Sequence, residues 1–207
     1  MWILYAFGSA FFAGLTAVLA KCGIEHTNSH LATALRTIVV LIFSWIMVGI
    51  VGSFSSIHTI THKTFLFLIL SGISTGASWL CYFKALQLGN INKVTAIDKT
   101  SVVLTIILSF LFLKESVTVY KIIGMIILTT GTYLMVEKKE DNKQTNNAWL
   151  LYAVLSVFFA SLTTILGKIG ITNIESNLGT AIRTSVVLVM SWIVVLVTHS
   201  QMNMNSI

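Results

Sequence analysis

Seven apolar stretches, each about long enough to cross a hydrocarbon core of ~30 Å, restrict this chain more than any other feature. They lie near 2–20, 32–52, 65–86, 94–113, 119–136, 149–167 and 178–198. Short polar connections separate them, such as EHTNSH at 25–30 and EKKEDNKQTNN at 137–147. Backbone N–H and C=O groups in lipid need partners within the protein, so this pattern predicts an all-α integral membrane protein of about seven transmembrane helices. Strands of a membrane barrel would alternate apolar and polar residues, and these stretches do not. Only 10% of the 207 residues are charged, against roughly 25% in soluble domains, which leaves no room for a soluble domain. The net charge of +6 is spread between the apolar runs. That is the pattern of a topology signal, whereas a nucleic-acid footprint clusters on one face. Met1 and Trp2 lead directly into apolar sequence without a basic n-region, so the first helix is expected to remain as a span.

The chain also repeats itself. WILYAFGSAFFAGLTAVLAKCGIEHTNSHLATALRTIVVLIFSWIMV, from Trp2, aligns without a gap with WLLYAVLSVFFASLTTILGKIGITNIESNLGTAIRTSVVLVMSWIVV, from Trp149. About 27 of about 47 positions are identical. Polar and aromatic identities such as Lys21/Lys168, Ser29/Ser176, Arg36/Arg183 and Trp45/Trp192 do not follow from shared hydrophobicity alone. The expected organisation is a complete five-helix unit at 1–137, a polar linker at 138–147 and the first two helices of a second unit at 148–207. Five is odd, so the second copy enters from the opposite side of the membrane. Inverted repeats are a recurrent design of secondary transporters, with the solute site near the midplane. An outside N-terminus places eight basic residues on the cytoplasmic side and five on the other, a small bias by the positive-inside rule. Lys21/Lys168 and Arg36/Arg183 then fall on opposite faces, so those matched residues are not purely topogenic.

Residues 82–116, YFKALQLGNINKVTAIDKTSVVLTIILSFLFLKES, resemble an EamA-type transporter of the drug/metabolite transporter superfamily. Ala85, Leu86 and Gly89 end the third stretch, a small and apolar segment opens the fourth, and Leu113 and Glu115 close it. LATALRT at 31–37 and GTYLM at 131–135 resemble the compact branch whose members carry one five-helix unit. The resemblance implies movement of a small organic metabolite or drug across the cytoplasmic membrane of a bacterium. It also implies a pathway between two units of opposite orientation. The expected partners are the lipid bilayer, a small organic solute and a second copy of the chain, with no nucleic acid. A non-transporting accessory subunit, or an inactive remnant of a ten-helix transporter, is the alternative, because the second unit has only two helices.

Candidate pathway residues are the charges and aromatics inside the spans. Asp98 and Lys99 sit about one turn into the fourth stretch. Adjacent helix positions do not face each other, so separate partners are expected, with Arg36 or Lys84 reaching Asp98. Asp98 then serves either as a proton or amine site in the pathway or as half of a structural ion pair. Arg36 and Arg183 are one turn into matched helices, where snorkelling to head groups and contact with an anionic solute both fit. Trp79 and Tyr82 either pack or stack on a solute. Gly72 and Gly76 form a small-xxx-small pair that permits close packing within the chain. Cys22 and Cys81 read as structural thiols. His26/His30 and His58/His62 are placed in loops, and the repeat replaces the first pair with Asn173/Asn177, so no metal site is expected. HExxH, GxSxG and phosphate-loop motifs are absent from the sequence, and neither an enzyme nor a cofactor is expected.

Overall fold

The computed structural model describes residues 2–24, 29–116, 118–135, 148–171 and 174–197. They form helices α1 (Trp2–Ile24), α2 (Ser29–Val51), α3 (His62–Leu88), α4 (Ile91–Lys99), α5 (Ser101–Leu113), α6 (Val119–Met135), α7 (Ala148–Gly170) and α8 (Ser176–Val197). A 3-10 turn, Ser53–Thr59, follows α2. Six apolar segments are long enough to cross a bilayer, and α6 is a shorter apolar helix. The seven expected stretches therefore each find a helical counterpart. The linker at 138–147 lies outside the described residues.

Two details differ from the sequence reading. The fourth span, Ile91–Leu113, is divided into α4 and α5 at Thr100. The Thr100 N–H reaches the Ile97 carbonyl at 2.9 Å and its hydroxyl donates to the same oxygen at 2.6 Å. A tightened turn, held by a side chain that competes for a backbone carbonyl, interrupts the regular ladder without proline. In addition, His30 lies in α2 and His62 opens α3, so these histidines are not loop residues.

α3 is the central helix. On one face, the Ser71 hydroxyl donates to the Thr163 carbonyl of α7 at 2.9 Å, and the Ser78 hydroxyl donates to the Ser156 carbonyl at 3.1 Å. On another, Gly72 and Gly76 let α8 approach. A Cβ on Gly72 would stand 2.7 Å from Val186 Cβ and 2.9 Å from the Arg183 carbonyl. Small residues at helix contacts are the usual route to close packing in lipid, where no hydrophobic force separates helix from solvent.

α2 and α8, the repeat-matched pair, pack on each other in opposite directions. Leu31 and Ala34 cluster with Val195 and Trp192, whereas Val48 clusters with Leu178 and Ala181. Trp45 Nε1 donates to Ser185 Oγ at 3.4 Å. Contacts at the helix ends agree with this inversion. At one end of the bundle Ser53 donates to Glu175 and Lys168 pairs with Glu115. At the other, Lys21 meets the end of α3 and Trp149 lies against Gly89. The end of α1 and the end of α7 thus lie at opposite faces.

The repeat is not matched in burial. α7 packs along α3 and buries Ala153, Ser156, Ser161, Gly167 and Gly170. α1 presents Leu4, Phe7, Phe11, Phe12, Leu15 and Leu19 outward. Among the described residues, no helix covers that face.

Candidate functional site

The break at Thr100 and the packing of α3 define a cavity of about 260 Å³. Ala13, Thr16, Ala17 and Ala20 form its α1 wall, and their small side chains leave the space open. Arg36 enters from α2. Ser78, Trp79, Tyr82 and Phe83 come from α3, Asp98 and Lys99 from the end of α4, Ser101 from α5 and Ala160 from α7. Local sequence positions each element. The Asn90 side chain accepts from the Asn92 N–H at 2.9 Å and caps α4. Gly89, which precedes it, lies where any side chain would press on Trp149 and the Ala85 carbonyl, both 3.1 Å from a Cβ. Lys21 Nζ donates to the Leu86 carbonyl and, at 3.1 Å, to the Gly89 carbonyl. A cation at the carbonyl end of a helix satisfies orphan acceptors and complements the dipole. This fixes the corner between α3 and α4, and with it the position of Asp98.

Five of the six candidate residues converge on this cavity: Arg36, Trp79, Tyr82, Asp98 and Lys99. The guanidinium of Arg36 lies over the Trp79 ring, 4.6 Å from its centroid, and 5.4 Å from that of Phe83. A planar cation on an aromatic face is stabilised by about 0.5–2 kcal/mol, depending on desolvation. Asp98 accepts from the Ser156 hydroxyl at 3.4 Å, and Ser156 in turn lies 3.4 Å from the Ser78 hydroxyl. Its second oxygen is 3.9 Å from Lys99 Nζ. The expected separate partners are therefore corrected. Asp98 and Lys99, though adjacent, approach each other at the end of α4. Arg36 is held by rings, and Lys84 donates to Gln87 at 3.0 Å. Neither is ion-paired with Asp98 among the described residues.

Arg183 is not brought to the cavity. It sits where α3, α7 and α8 meet; a Cβ on Gly167 would stand 3.2 Å from its Nη1 and 3.3 Å from Ser71 Oγ. The repeat is kept locally, since Arg36 shares its cavity with Ala20, the counterpart of Gly167. Sequence reasoning did not select Ser78, Phe83, Ser101 or Ser156 as site residues. Only a spacing of three or four from Trp79, Tyr82 and Asp98 could have marked the first three. Ser156 reaches the site by tertiary packing alone. Among the described residues, no group of three or more His, Cys, Asp or Glu side chains could hold a metal ion.

An all-helical, multi-pass chain with a charged, aromatic-walled cavity within its spans is of the membrane-transporter class. Residues 1–137 match the EamA-like transporter family, and the chain belongs to it. The chain is 42% identical, over 134 residues, to a protein of a Sinorhizobium species called an uncharacterized transporter in the cobO 3′ region; the match covers 65% of this chain and 95% of the relative. It is 28% identical over 103 residues to an uncharacterized protein of Methanocaldococcus jannaschii, covering 45% of this chain and 75% of that one. No solved structure matches it.

Proposed function

We propose that the chain is a secondary transporter that moves a small organic metabolite or drug across the cytoplasmic membrane of a bacterium, with the cavity as its solute site. The observation that carries this reading is the convergence of Arg36, Trp79, Tyr82, Asp98 and Lys99 on one cavity inside the spans. Ionisable groups at membrane depth are costly and mark solute or ion pathways by default. Arg183 belongs to the scaffold in this reading, because it lies at a helix junction outside the cavity. In this reading residues 148–207 belong to a second unit, joined to the unit at 1–137 by the linker at 138–147.

The active form is an oligomer, most simply a dimer. In support, α7 has α3 as its partner, whereas among the described residues no helix covers the outward face of its repeat counterpart α1 beside the cavity. The Sinorhizobium relative, 95% of it covered by 134 residues, is about as long as one five-helix unit, which suits assembly from several chains. The test combines crosslinking in native membranes with solute flux in proteoliposomes at low protein density. Flux that scales with the crosslinked species is expected. Flux by a demonstrably monomeric chain would overturn the dimer, and absence of flux for every solute class would overturn transport.

A further inference from the structure

We propose that the cavity selects a small organic anion, whose carboxylate or phosphate group is held by the guanidinium of Arg36. This rests on the reading of the cavity as the solute site. Among the described residues, two cations, Arg36 and Lys99, and one carboxylate, Asp98, are the charged groups that line it. Ionised or protonated, Asp98 leaves the cavity net positive. Asp98 is also the group already served within the chain, by Lys99 at 3.9 Å and by the Ser156 hydroxyl. Arg36 makes no ion pair among the described residues. Its guanidinium carbon lies over the Trp79 ring, 4.6 Å from the centroid, and 5.4 Å from that of Phe83. Rings offer its donors no anionic acceptor, and a planar fork of donors matches a carboxylate or phosphate in two parallel bonds. In a low-dielectric site an unmatched cation attracts an anion far more strongly than in water. The partly exposed rings of Trp79 and Tyr82 supply an apolar surface for the body of the solute, and the cavity volume of about 260 Å³ limits its size.

Trp79 reports on this directly, because it touches Arg36. In the full chain with Trp2, Trp45, Trp149 and Trp192 replaced by Phe, in nanodiscs of zwitterionic lipid, Trp79 emission is quenched with iodide, caesium and acrylamide. The expected result is an iodide response several-fold above that of caesium, each scaled to acrylamide. Arg36→Gln removes the preference and Arg36→Lys retains it. Benzoate shields Trp79 from acrylamide saturably, and benzylamine does not. Equal iodide and caesium responses, an iodide preference unchanged in Arg36→Gln, or shielding by benzylamine at least as strong as by benzoate would each overturn the proposal. If the four-fold variant does not fold, the difference between the unmodified chain and Trp79→Phe gives the same readout. Proteoliposomes separate this inference from the transport reading. Anion binding without flux of any solute would sink transport and leave the anion site standing. Flux of amines but not carboxylates would do the reverse.

Discussion

Lys21 and Lys168 occupy matched positions in the repeat and have different partners. Lys21 is partly buried and ties α1 to the carbonyl end of α3, whereas Lys168 pairs in the open with Glu115, which Lys121 also reaches at 3.4 Å. Hydrogen bonds from a charged donor are worth about 1.5–3 kcal/mol when shielded from water. Lys21→Met should therefore lower the melting temperature in detergent clearly, and Lys168→Met by less, because an exposed pair is screened. Equal losses would show that the α3 corner does not depend on Lys21. Asp98 has a separate part to play in the transport reading. Asp98→Asn keeps the shape and the Ser156 contact but removes the charge that balances Lys99. Solute flux should be abolished while extraction yield and elution as a single species are unchanged. Loss of folded protein along with flux would instead assign Asp98 to a structural pair.

Among the elements, α3 carries the most packing, against both α7 and α8. The two glycines of α3 differ in what surrounds them. Gly72 faces a β-branched Val186 and a backbone oxygen, neither of which can swing aside. Gly76 faces the Met190 sulfur at 2.7 Å, the end of a flexible side chain. Gly72→Ala should cost about 1–3 kcal/mol by overpacking and Gly76→Ala distinctly less, read as unfolding in mild detergent. Near-equal costs would contradict the observed α3–α8 contact. The start of α8 has its own anchor. Glu175 accepts from Ser53 Oγ at 2.7 Å, from Asn177 N–H at 2.9 Å and from Leu178 N–H at 3.1 Å. The Ser53 bond first, then the backbone donors, hold its carboxyl below the usual glutamate range. A lowered pKa stabilises the fold above the ordinary glutamate value, and this is lost as pH falls through the depressed value. The loss of stability on acidification should be shallower in Glu175→Gln, as measured by thermal unfolding across acidic pH.

For the whole molecule, the inverted order of the two helix pairs is the main architectural fact. Matched helices α2 and α8 run in opposite directions, and the ends of α1 and α7 lie at opposite faces. In a variant without Cys22 and Cys81, single cysteines at Asn28 and at the exposed Ser176 should react with an impermeant thiol reagent from opposite sides of the membrane. Ser176 is chosen over Glu175 because the latter caps α8. Labelling of both positions from one side would refute the inversion.

Span number, helix type and inversion were legible in the sequence because each depends on local hydrophobicity and on a count of crossings. Trp79, Tyr82, Arg36, Asp98 and Lys99 were legible as candidates because charges and large aromatics are conspicuous in apolar runs. Their convergence was not. Arg36 and Arg183 are indistinguishable in the repeat, yet one lies on rings that line an open cavity and the other in a packed junction beside Gly167 and Ser71. That difference arises because α3 packs far more extensively on α7 than on its repeat counterpart α1. The break at Thr100 had no proline or glycine to announce it; a hydroxyl bond to Ile97 holds it, and the two neighbouring charges just before it lie 3.9 Å apart. Hydrophobic pattern determines which segments cross the membrane, whereas the approach of small-residue faces in three dimensions decides which polar groups meet.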